Sequence, residues 1–249
     1  MNEICAGTST ELTSITAQMK ISILPRGKGR NKEQTENWVR RTVLSCHADS
    51  DHFSYPLRAV PNDRPDLDIF LPGKSVGVEI TEAVPRAYAA AIAYGERHFP
   101  EAVLDRSMFP WDQEPMSIKQ HRIFFQKYGA KLCGPGWRGR DSVEREWANA
   151  FLDSIVRKTE DLNAPGFRMF PEYWLAIYDN FKGPLLDLDF ATSLLKEKLI
   201  TLPSRPRTYT RFLIETNNVM VSVEPDGTVR QKQVSKFNGG GSCRVCLSL

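Results

Sequence analysis

Two short apolar segments joined by a turn constrain this chain more tightly than any other feature of it. Asp66-Leu67-Asp68-Ile69-Phe70-Leu71 and Val76-Gly77-Val78-Glu79-Ile80-Thr81 are rich in β-branched or aromatic residues, and Pro72-Gly73-Lys74-Ser75 between them carries turn chemistry. The stretch reads as a β-hairpin over about 67 to 81. Antiparallel pairing folds the second strand back over the first, which returns Glu79 to the end where Asp66 begins. Strand alternation puts Val76, Val78 and Ile80 on one face and Gly77, Glu79 and Thr81 on the other, while Asp68 shares the face of Asp66. Two carboxylates converging on one strand edge supply hard oxygen ligands for a divalent ion.

The rest of the chain has the makings of a domain around that hairpin. At 249 residues, 41% hydrophobic and 25% charged, it has the composition of a globular protein with a sizeable core. No apolar run approaches the ~20 residues of a membrane span, and no charged-then-apolar leader opens the chain. The expected location is therefore the cytoplasm, with no membrane partner. A net charge of +3, from 33 basic and 30 acidic residues, neither demands nor excludes a polyanion. Five cysteines, an odd number, argue for reduced thiols rather than a disulfide framework.

Along the chain, residues 1–30 are rich in Ser, Thr and Gly and end in a basic, glycine-rich stretch, which reads as a flexible arm. A helix over 32–46 places Glu36, Val39 and Val43 on one side, and 53–60 reads as a first strand before the hairpin. An insertion over about 85–140 carries helical segments at 87–97 and 117–128. Asp141 and Glu144 give a capping-box-like start to a helix reaching about 162, and 172–179 follows as a buried strand. Asp189 is expected to cap a short helix, and strands at 211–216, 219–224 and 228–234 form a C-terminal β-meander within about 205–237. A single domain is expected over 31–237, and 238–249 is expected to be a disordered tail. Cys243 and Cys246 in that tail have metal-clip spacing but no second pair to match, so no zinc site is expected.

On the helix that starts near Asp141, Val143, Trp147, Phe151, Ile155 and Leu162 recur at helical spacing, and Lys158 falls inside their stripe. A lysine facing a sheet either snorkels past the stripe to water or serves a site.

Arg64-Pro65-Asp66 followed by Gly77-Val78-Glu79-Ile80-Thr81-Glu82 resembles the PD-(D/E)XK nuclease superfamily, in which Pro-Asp opens one strand and Glu-x-Lys lies on the next. More closely it is similar to a poorly characterised bacterial group of that superfamily, here with Glu-x-Thr in place of Glu-x-Lys. The resemblance covers roughly residues 31 to 180. It implies an α/β fold: a restriction-endonuclease-like αβββαβ core with a mixed central sheet, to which the helical insertion and the β-meander are added. It also implies that Asp66, Glu79 and the Ile80 carbonyl hold Mg2+ or Mn2+, with Thr81 in the place of the motif lysine. Lys158, upstream of Trp174-Leu175-Ala176-Ile177-Tyr178-Asp179, corresponds to a migrated catalytic lysine, and Glu36 to an accessory glutamate. The expected function is a metal-dependent nuclease hydrolysing phosphodiester bonds, with DNA ahead of RNA as partner. Arg138, Arg140, Arg205 and Arg207 are candidate phosphate contacts. The alternative is a catalytically inactive nucleic-acid-binding or partner-binding module on the same scaffold.

Overall fold

The hairpin closes on Pro72 and Gly73, and the positive φ of Gly73, 76°, is the backbone geometry that favours glycine there. Its arms are β3 (Leu67–Leu71) and β4 (Lys74–Ala83), paired antiparallel with Leu67 opposite Val78 and Leu71 opposite Lys74. The computed structural model describes residues 1–21, 31–129, 134–137, 139–181, 185–216, 218–224 and 226–234. Around the hairpin the other strands are β1 (Ile4–Ala6), β2 (Leu57–Pro61), β5 (Glu172–Asp179), β6 (Arg211–Thr216), β7 (Val219–Val223) and β8 (Val229–Gln233). They lie side by side in chain order in one mixed sheet, parallel at β4–β5 and β5–β6 and antiparallel elsewhere.

The protein is an α/β fold with helices on both faces of this sheet. On one face, α1 (Ser9–Gln18) and α2 (Lys32–His47) bury Leu12, Val39, Val43 and Leu44 against Val76, Val78, Ile80 and Trp174. On the other, α5 (Ser142–Asn163) and α6 (Leu188–Ile200) bury Trp147, Phe151, Ile155 and Leu195 against Leu175, Ile177 and Ile214. Between β4 and α5 stand α3 (Arg86–His98) and α4 (Ile118–Tyr128), which share a separate small core around Ala87, Ala91 and Phe109. The meander extends the central sheet rather than standing beside it, because β6 pairs directly with β5.

Several expectations are corrected. Residues 1–18 are not a flexible arm: β1 pairs with β2, and α1 is capped by Thr8, whose side chain accepts from the Glu11 N–H. The Ser/Thr content that suggested disorder serves this capping and the bond from Thr16 Oγ1 to the Leu12 carbonyl, 2.9 Å. The strand expected at 53–60 is β2 and starts at Leu57 rather than Phe53, just past Pro56, which has no N–H to give to a ladder. Asp141 makes no side-chain cap; its carboxylate is taken by Arg145 Nε at 2.8 Å, and Glu144 instead accepts from the Asp187 N–H. The cap of α6 is Asp187, with Asp189 in its first turn. The basic stretch at 26–30, the segment 182–184, Asn217, Pro225, Arg138 and the tail at 238–249 with its two cysteines lie outside the described residues.

Gly77 matters to the site because Pro65 and Phe170 fold over it. A Cβ there would stand 2.8 Å from Pro65 Cγ and 3.0 Å from the Phe170 ring. Gly77→Ala is therefore expected to destabilise the protein by about 1–3 kcal/mol, as overpacking of a filled core does. Denaturant unfolding measures this, and a variant as stable as the parent would show that the proline and the ring are not locked in place.

Candidate functional site

The β3–β4 ladder sets the site. Leu67 faces Val78, so continuing the same register by one residue puts Asp66 opposite Glu79 just where β3 begins. Both carboxylates are buried, with 3% and 5% of their residue surfaces exposed. Asp66 Oδ2 accepts from the Ile80 N–H at 2.6 Å. Because the N–H and C=O of one strand residue point to the same side, the Ile80 carbonyl lies on the edge that Asp66 occupies.

Lys158 closes the site from α5. Its Nζ stands 2.6 Å from Glu79 Oε1 and 3.9 Å from Asp161 Oδ2, with 20% of the side chain exposed. The lysine inside the apolar stripe thus turns toward the acids rather than to water. Tyr209, buried beneath it, donates from its hydroxyl to the Lys158 carbonyl at 3.1 Å. The second Glu79 oxygen, Oε2, is buried with no hydrogen-bond partner.

The electrostatics follow from burial. Desolvation, then the neighbouring Glu79 charge, pushes the Asp66 carboxyl up to about 7, against the bond from Ile80 and the more distant Lys158. Glu79 is also raised by burial, and the Lys158 ammonium opposes that rise. Asp66 is thus the acid that keeps a proton near neutrality, and Glu79 the one held beside the cation.

Glu36 lies outside the acid pair. It bridges Lys32 at 3.0 Å and Arg40 at 3.1 Å on α2. Arg40, which is buried, then donates from Nε to the Asp66 carbonyl at 3.1 Å, so α2 grips the backbone of the site rather than its ligand atoms. Thr81 accepts from Arg157 at 3.4 Å. Asp68 is taken by Arg168 at 2.7 Å and by Asn62 at 3.2 Å, which makes it a brace for the loop before β3. Arg140 and Arg205 are exposed, and Arg207 is bound to the chain after α5 through the Ala164 carbonyl. None of these three lines the cleft at the acids, a space of about 230 Å³ bordered by Lys32, Arg64, Asp66, Glu79, Lys158 and Asp161 among others.

Arg40 and Arg157 were not picked out by the sequence. Arg40 sits four residues after Glu36 and three before Val43, on the buried face of α2, and that position was the signal. Arg157 is exposed and left no such trace.

Among the described residues no group of three or more His, Cys, Asp and Glu side chains converges as a metal cluster. The donor set still fits a hard divalent ion. The unpartnered Glu79 Oε2, the Asp66 carboxylate and the Ile80 carbonyl are oxygen donors of the kind Mg2+ accepts, with water completing the shell. The chain matches no family model, no curated protein and no solved structure.

The pH dependence of stability tests the geometry. The unfolded Asp66 loses its proton near 3.8 and the folded one near 7, so the folded state binds the extra proton between these values. The stability this provides is fully present below about pH 4 and lost as pH rises through about 7. Asp66→Asn removes that slope, and is expected to melt above the parent at pH values above about 7. Parallel pH profiles for parent and variant in thermal melts would mean that Asp66 is not desolvated as described.

Proposed function

We propose that this protein is a metal-dependent nuclease that hydrolyses phosphodiester bonds in DNA, with Mg2+ or Mn2+ as its ion. The observation that carries the reading is the buried pair Asp66 and Glu79, opposed across a strand end, with one carboxylate oxygen unpartnered and a lysine from a different element on the other. A structural ion pair needs one acid and one base; this arrangement has an extra buried acid, whose carboxyl burial raises toward neutrality.

Asp66, Glu79 and the Ile80 carbonyl would hold the ion, whose chemistry when bound is to polarise a phosphate and acidify water. Hydrolysis adds water to phosphorus, breaks the bond to one sugar oxygen, and returns a proton to that leaving oxygen. Lys158 supplies positive charge where negative charge builds on the phosphate, the task of the lysine that Thr81 replaces. Tyr209 fixes the helix turn that carries Lys158, and Arg40 with Glu36 fixes the backbone that carries Asp66.

Cleavage of single- and double-stranded DNA by pure protein is expected with Mg2+ or Mn2+ and to stop in EDTA. Asp66→Ala and Glu79→Ala should abolish it. Lys158→Met, which keeps most of the stem, should lower the rate by about 100-fold or more, whereas Lys74→Ala at the hairpin turn should leave it near the parent value. Parent-level cleavage by Lys158→Met removes the lysine from the mechanism. Metal-independent DNA binding without any cleavage replaces the nuclease by a binding module.

A further inference from the structure

A second cleft opens against the first. It has a volume of about 410 Å³ and runs between the start of α2, the last residues of β4, α3 and α5. Lys32, Ile80 and Lys158 border both spaces, so the two adjoin across these residues, with the acid pair lining the smaller one. Its composition is graded. On the shared border stand the cations Lys32 and Lys158, and Arg157 joins them on the groove side, one of its terminal nitrogens 3.4 Å from Thr81 Oγ1. That single hydroxyl cannot saturate a guanidinium fork with its five N–H donors. Away from the border Ile92 and Ala93 give the lining an aliphatic stretch, with Glu82 and the exposed Glu96 beside it, while Glu36 in the same lining is ion-paired to Lys32 and Arg40.

We propose that this groove is the subsite for one unpaired nucleoside next to the scissile phosphate, so that the preferred substrate is single-stranded DNA or a single-stranded end. The inference rests on the nuclease reading and names the substrate class it leaves open. A phosphate at the acid pair is followed along the strand by a sugar and a base. The border cations meet the phosphates, and Ile92 and Ala93 offer apolar contact to a base. Glu96 sits where a further phosphate would be repelled and where amino or hydroxyl groups can be accepted. The space falls within the range of about 300–1,000 Å³ typical of sites for one small molecule. With α2 along one side and α3 along the other, a space of about 410 Å³ suits one nucleoside rather than a base pair with both its backbones. The insertion between β4 and α5, otherwise an appendage with its own small core, thereby becomes the element that selects the substrate.

The test uses the full chain and a labelled DNA strand, presented alone and as an intramolecular duplex. The Ala93→Trp variant adds bulk to the groove from an exposed position on α3. Parent protein with Mg2+ or Mn2+ is expected to cleave the single strand at least about 10-fold faster than the duplex interior, and Ala93→Trp to lose most of that rate, as blocking a subsite used in the transition state requires. Hydrolysis of bis(p-nitrophenyl) phosphate, which needs no nucleoside subsite, should persist in Ala93→Trp. Equal cleavage of both substrates by the parent, or an unchanged single-strand rate in the variant, overturns the inference while leaving the nuclease reading intact. Should the parent cleave nothing, the nuclease reading falls, and binding of the same labelled strand by fluorescence anisotropy decides the groove. Weaker single-strand binding by Ala93→Trp supports the groove as a nucleoside site, and unchanged binding overturns it.

Discussion

Two acids placed face to face out of water repel one another, and much of the surrounding structure answers to that repulsion. Like charges ~4 Å apart at an effective dielectric of about 20 oppose each other by about 4 kcal/mol, before either loses its hydration. Three devices make the pair tolerable here: the proton retained on Asp66, the ammonium of Lys158 on Glu79, and the Ile80 N–H on Asp66. Each comes from a different element, so the site exists only when the hairpin and α5 are both in place. Arg40, Tyr209 and the cover of Pro65 and Phe170 over Gly77 hold those elements in register. Placing costly polar groups where the fold over-determines them is the way functional sites differ from cores.

The hairpin also explains why the site opens where it does. Along β4, pairing with β3 covers Lys74 to Val78 and stops, while pairing with β5 continues from Val76 to Ala83. Beyond Val78 the strand therefore has one edge in the sheet and one edge turned to Asp66. A strand with one ladder missing offers backbone groups as ligands, and its alternating side chains reach both helical layers. Glu79 and Thr81 meet α5, and Ile80 packs toward α2, which is how a single short segment touches both clefts.

Much of this was legible in the residues. The hairpin, the strand at Glu172–Asp179 and the helix carrying Lys158 followed from period and turn chemistry, because long, strongly patterned segments leave few alternatives. The convergence of Asp66 and Glu79 needed only the antiparallel rule. What the residues hid was of two kinds. Ser- and Thr-rich sequence at the N-terminus looked like solvent-exposed chain, whereas Thr8 and Thr16 spend their hydroxyls on a helix whose Leu12 is fully buried. The other kind was the choice of partner by each charge. Asp141 pairs with Arg145 instead of capping, and Asp68 pairs with a residue a hundred positions later in the chain. Charged side chains have several partners of similar worth, and only the packed structure selects among them.

Because the strands stand in the sheet in the order in which they occur in the chain, nearly every pairing joins sequence neighbours. The long closure is the crossover from Ala83 at the end of β4 to Glu172 at the start of β5, and it is this crossover that carries α5. Loop-closure entropy makes such a step slow relative to forming a hairpin. The topology therefore favours an order of assembly in which Asp66 and Glu79 meet early, while Lys158 is still distant. In that interval the carboxylates have no ammonium beside them, and protons or ions from solvent must do its work. Docking of α5 is then a charge-neutralising event as well as a hydrophobic one, and the cation that serves the finished site also rewards the chain for completing its longest loop.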